Sequence, residues 1–65
     1  MDKTTYKFII RSQKSEITEH HIYNRLAKRV KDKNNKAILE QIAKDEKRHY
    51  EFWKNYTDKE VKPSK

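Results

Sequence analysis

Two carboxylates stand at the centres of helical stripes that are otherwise largely apolar. At about 100° per residue, Ile9, Ser12, Glu16, Glu19, His20, Tyr23, Leu26, Ala27 and Val30 share one broad face, with Glu16 near its middle. Leu39, Ile42, Ala43, Glu46, His49, Tyr50, Trp53 and Tyr56 form a second stripe spaced by threes and fours, with Glu46 near its middle. Burying an unpaired carboxylate is expensive. Neither stripe contains a Lys or Arg to neutralise it. The two faces therefore need another source of positive charge.

The chain has 65 residues, enough for one domain. A chain this short buries only about 60% of the surface its unfolded form exposes, so it is marginal alone. With no Cys, disulfides and thiolate metal sites are excluded, which leaves a metal or oligomerisation as the staple. The absence of Gly and the wealth of Lys and Glu favour helix. The first helix is expected over about Thr5 to Lys31 and the second over about Lys36 to Tyr56. Asp32-Lys33-Asn34-Asn35 is the only strong break, with Asn34 or Asn35 as the cap of the second helix. So short a link makes the helices antiparallel neighbours. The expected fold is all-α, an antiparallel two-helix hairpin over residues 1–57. Residues 58–65, with Pro63, read as a polar tail or linker. Ile10, Ile17, Ile22, Phe8 and Phe52 fall off or at the edge of the main stripes. A helix apolar on more than one side contacts more than one neighbour, so the hairpin is expected to dimerise, or to join a larger ring, with a four-helix bundle as the product.

Glu46 and His49 are at i and i+3, on one side of a helix and about one turn apart. A Glu from each of two helices and a Glu-x-x-His from each of two others make a carboxylate-bridged di-iron site. This chain holds three of those six ligands, and two copies would supply all six. In that arrangement His49 gives one metal its imidazole, Glu46 bridges the two metals and Glu16 is a terminal ligand. Iron suits a mixed carboxylate–imidazole set, with Zn or Mn as substitutes. The competing reading of the same residues is a structural ion pair or polar core. Glu19 and His20 flank the site and are candidates either for a third, transient iron or for partly exposed polar groups. Tyr23, two turns beyond Glu16, is either a hydrogen-bond donor to a ligand carboxylate or an ordinary core tyrosine. His21 points away. Trp53, Tyr50 and Tyr56 could relay an electron, but at this spacing they read first as packing aromatics.

The segments Glu16–Ala27 (EITEHHIYNRLA) and Leu39–His49 (LEQIAKDEKRH) resemble the two metal-binding helices of the rubrerythrin and ferritin-like superfamily, over roughly Glu16 to Tyr56. The resemblance implies that Glu16, Glu46 and His49 are iron ligands and the catalytic groups of a ferroxidase-type oxidoreductase. Standard rubrerythrins carry four helices in one chain. The two-helix form is more similar to encapsulated ferritin-like proteins, which build a di-iron site across a two-fold dimer interface. It is similar also to the ferritin-like domain that precedes the membrane part of vacuolar-iron-transporter-type proteins. Ser15 and Thr18 stand where encapsulated ferritins usually carry extra acidic residues for iron entry. The tail has no apolar docking peptide of the kind that loads cargo into shells. That favours a free protein or a domain of a longer chain, in which case a membrane iron transporter would be a partner. A rubredoxin-type iron centre cannot form without cysteine.

The expected function is iron homeostasis: oxidation of Fe(II) to Fe(III) by oxygen or peroxide for storage or transfer. Net charge +7 keeps a second reading open, a basic helical-hairpin interaction module for nucleic acid or anionic membrane without redox chemistry. Ten acidic residues interleave with the cations, so no specific nucleic acid is expected as a partner. A third reading is a purely structural hairpin, in which Glu16→Ala or Glu46→Leu would stabilise the chain. No stretch is apolar enough to span a bilayer and no secretory leader is visible, so a cytoplasmic location is expected.

Overall fold

In the computed structural model, which describes residues 1–64, the chain is a hairpin of two helices, α1 (Lys3–Arg29) and α2 (Lys33–Thr57). The outer dimensions are 45 × 21 × 15 Å. Lys65, the last residue of the expected tail, lies outside the described residues.

Aspartates start both helices. The Asp2 carboxylate accepts the Thr5 N–H at 2.8 Å, and Asp32 accepts the Asn35 N–H at 2.9 Å. The bonds from Thr5 hold the Asp2 carboxyl below its ordinary value. Asn34 and Asn35, the expected caps, instead lie inside the first turn of α2. Asp32 is the better cap because its charge also opposes the positive end of the helix dipole. α1 begins two residues earlier than expected, because Asp2 offers a cap there. It ends at Val30, whose backbone is extended and whose N–H still reaches the Leu26 carbonyl at 3.2 Å. Lys28 and Arg29 occupy the last turn, where cations are favoured. α2 stops at Asp58, which is left-handed (φ 53°, ψ 35°). Gly commonly fills that position, and Asp is among the few other residues that tolerate it.

The seam between the helices is narrow. Ile9, Ile17 and Ala27 of α1 and Ala43 and Tyr50 of α2 are buried. Gln13 and Thr57 are buried among them. The small side chains of Ala27 and Ala43 suit close approach of the backbones. This line differs from the stripe read from the sequence. Ile17, expected off the stripe, is buried, and Leu26, expected within it, is 43% exposed. The seam is centred roughly 60° around α1 from the expected stripe. The carboxylate-bearing face therefore adjoins the seam instead of forming it.

Hydrogen bonds hold much of this seam. Gln13 accepts a bond from the Thr57 hydroxyl and donates to the Lys59 carbonyl at 2.9 Å. His20 meets the Ala43 carbonyl through Nδ1 at 2.6 Å, and its Nε2 faces the Asn24 amide at 3.2 Å. With Nδ1–H donating, Nε2 is the acceptor for that amide. Residues 58–64 carry no helix and turn back along the hairpin. The Tyr50 hydroxyl donates to Glu60 at 3.2 Å and accepts the Val61 N–H at 2.9 Å, which satisfies an almost wholly buried ring. Lys54 pairs with Glu60, and the Ser64 N–H reaches Thr18 Oγ1 at 2.8 Å. No buried side-chain nitrogen or oxygen lacks a partner among the described residues. No helix among them is long and apolar enough to cross a membrane.

Two outcomes follow from these bonds. Gln13→Ala strands the Thr57 hydroxyl and the Lys59 carbonyl, and should lower stability by about 1–3 kcal/mol in urea unfolding. Lys54, followed by Tyr50, holds the Glu60 carboxyl below its ordinary 4.5, and Glu60 holds the Lys54 amine above 10.5. Glu60 thus supports tail docking fully above pH 4.5, and that support fades as pH falls through its lowered value. The Lys54 contribution is full below pH 10.5 and fades as pH rises through its raised value. Both groups are exposed, so the effect is small and salt-sensitive. The Val61 amide resonance should report it, moving toward its undocked position at the acidic and basic extremes.

Candidate metal centre

Midway along the hairpin, one turn from the His20–Ala43 bond on each helix, three side chains converge. His49 Nδ1 lies 3.1 Å from Glu16 Oε2 and 3.6 Å from Glu46 Oε1. One ligand atom from each of the three falls within 4.8 Å of the others. Donors bound to a metal at about 2.0–2.2 Å stand roughly 3 Å apart, so the set is close to the spacing a single ion requires. Two carboxylates with one imidazole form a mixed oxygen–nitrogen set suited to first-row divalent metals, iron among them. The residues present therefore fit the group that the sequence implies.

The helices place these groups by simple register. Glu46 and His49 are one turn apart on α2, and Glu16 reaches across from α1. The carboxylates are largely shielded, with side-chain exposures of 21% for Glu16 and 15% for Glu46, whereas His49 is 54% exposed. The cluster sits on the shoulder of the seam and opens to one side.

Glu19 belongs to the same electrostatic neighbourhood. A hydrogen bond with Glu46 raises its carboxyl above the ordinary 4.5, and partial burial and the Glu46 charge add to the shift. Two carboxyls this close compete for a proton, and a cation between them would relieve the competition. His20, the other candidate for a third iron, is set apart from the cluster, because both ring nitrogens are engaged with Ala43 and Asn24. Tyr23 is half-buried, with no hydrogen bond to a ligand carboxylate among the described residues. His21 is exposed and stands edge-on to His20 at 5.1 Å. Tyr50 faces the tail. Phe52, Trp53 and Tyr56 form an aromatic group with ring centroids 5.2 to 6.2 Å apart, C-terminal to His49 on α2. Sequence reasoning missed Gln13. A long polar side chain at a seam position gives no pattern signal, and its partners are the last residue of α2, Thr57, and the tail carbonyl of Lys59.

Fold and donor set together define a class: an all-α hairpin carrying a carboxylate–imidazole group that could hold a metal ion. The chain belongs to the rubrerythrin family, whose model matches residues 7–64. Members of that family usually bind iron. Comparison with curated proteins and with solved structures gave no significant match.

Glu46→Ala removes both the hydrogen bond and the charge that perturb Glu19. The Glu19 titration, followed by carboxyl 13C NMR, should then fall back toward 4.5. A carboxyl raised in the folded state adds stability below pH 4.5 that is lost as pH rises through the raised value. That loss should be present in the metal-free wild type and absent from the variant.

Proposed function

We propose that this chain is half of a ferritin-like iron site, and that a second copy completes it. The observation that carries the reading is the convergence of Glu16, Glu46 and His49 on a face that the hairpin leaves uncovered. Exposed apolar side chains lie on that same side of the helices. Phe8 and Leu26 stand on α1, and Ile38 and Tyr56 on α2, above and below the ligands. An apolar band with a polar centre is what a self-complementary interface needs, since the band excludes water and the centre sets the register. A two-fold axis through this face would bring six ligands together. Their four carboxylates would carry a charge that two divalent ions balance.

In this reading Fe(II) is the substrate, and bound iron supplies the redox chemistry with oxygen or peroxide that no side chain here can provide. The side chains position and shield. Glu16 and Glu46 approach His49 from the two helices and hold its ring at the mouth of the site. Glu46, between His49 and Glu19, would be the carboxylate shared between two ions. Glu19 can take up a proton beside it as the charge of the site changes. Leu26 and Phe8 would dry the site once covered, which strengthens every charge interaction within it. The function that results is ferroxidase-type oxidation of Fe(II) to Fe(III) for storage or transfer.

An anaerobic Fe(II) titration followed by oxygen tests this, with absorbance and bound iron recorded. Saturation is expected at two irons per pair of chains, with oxidation faster than in buffer, and Glu46→Ala should abolish both. Leu26→Lys, on the apolar band, should shift sedimentation toward the single chain and weaken iron binding without changing helix content. A chain that binds no stoichiometric iron would sink the reading.

A further inference from the structure

The cations of the chain look interleaved with acids in the sequence, yet the fold separates them. On α1, Lys3, Lys7, Arg11, Lys14, Arg25 and Lys28 are all exposed. Projected at 100° per residue they fall within an arc of about 100°, together with Thr18 and His21. The only acids within α1, Glu16 and Glu19, lie on the metal side. The arc is centred on the direction pointing away from both α2 and the metal face, so pairing of hairpins leaves it uncovered, while Pro63 and Ser64 of the tail lie against it near Thr18. α2 differs, because Glu40, Asp45 and Glu51 alternate with its cations. Every Lys or Arg found in an ion pair among the described residues is on α2: Lys47 with Glu51, Arg48 with Asp45 and Lys54 with Glu60. The α1 cations have no such partner there.

We propose that this outward face of α1 is a binding surface for the sugar-phosphate backbone of duplex nucleic acid, used without regard to base sequence. The surface is about 37 Å long, and a duplex offers one negative charge per about 1.7 Å of axis. Its cations form two groups, Lys3 to Lys14 and Arg25 to Lys28, about 16 Å apart along the helix. Flexible Lys and Arg side chains can close that gap onto the two phosphate walls of a major groove about 12 Å wide. At the second group, the returning tail forms a groove against α1, lined by His21, Asn24, Arg25, Lys28, Pro63 and Ser64. It gives a phosphate a polar recess toward the C-terminal end of the surface. The face holds no Phe, Tyr or Trp on which unpaired bases could stack, which argues against a single strand. Ile10 at one edge and Ile22 at the other are too few for an apolar strip to insert into lipid, because Ile9, Ile17 and Ala27 are spent on the seam and Phe8 and Leu26 lie on the metal side.

The test is fluorescence anisotropy of the full chain with two 20-base-pair duplexes of unrelated sequence, between 50 and 200 mM salt. Equal affinity for both duplexes is expected, falling by roughly 10³-fold across that range for about six phosphate contacts. Replacing Lys7, Arg11 and Lys14 together by Gln should reduce the log–log salt slope by about 2.7. Replacing Lys33, Lys36 and Lys44 of α2 by Gln removes the same net charge and should leave the slope nearly unchanged. Helix content by circular dichroism confirms that both variants fold. No binding at 50 mM salt, equal losses in the two variants, or tighter binding to phosphatidylglycerol vesicles than to duplex would each overturn the proposal. Neither set of substitutions touches the metal cluster, so this surface and the iron site can fail independently.

Discussion

A hairpin of two helices has one seam to bury, and everything else in this molecule is arranged around how that seam is filled. Four aliphatic side chains, two of them alanines, and one tyrosine ring supply its apolar content. That is little for a chain of 65 residues. The remainder is polar: Gln13 bonded to Thr57 and Lys59, His20 to Ala43, and Tyr50 to Glu60 and Val61. Such bonds add modestly to net stability when made, but leaving their buried groups unpaired is costly. They therefore select one alignment of the helices more strongly than an oily seam would.

That alignment determines where the carboxylates go. Had Glu16 and Glu46 lain in the seam itself, each would have needed a buried countercharge from the same chain. On the shoulder they remain partly solvated, within reach of His49, and turned toward the side that carries the exposed apolar residues. The Glu16–Glu46–His49 cluster and the exposed apolar residues thus share one side of the hairpin: hydrophobic surface left over lies beside the most electrostatically demanding one.

Much of this was legible in the sequence. The two helices, the short link and the convergence of Glu16 with Glu46 and His49 follow from spacing and from the lack of any helix breaker but one. The rotation of α1 was not legible. Glu16, Tyr23, Leu26 and Ile9 make a plausible stripe, and periodicity cannot tell a face that meets its own partner helix from one that stays open. Ile17 and Gln13 were misjudged or missed for that reason. The tail escaped as well, since it is held by individual bonds to Tyr50, Gln13 and Thr18 that leave no periodic trace. Asp32 was overlooked as a cap because the two asparagines after it looked more typical of a helix start.

The bond from His20 to the Ala43 carbonyl carries one more consequence. His20 is four residues from Glu16, and Ala43 is three residues from Glu46, so this contact works as a vernier for the two ligands. Sliding one helix past the other by a single turn, about 5.4 Å, would break it and carry the carboxylates out of each other's reach. His20 therefore sets the spacing of the two carboxylates through its bond to the Ala43 carbonyl. Its loss would first be felt as a looser fit between Glu16 and Glu46, well before any loss of the fold.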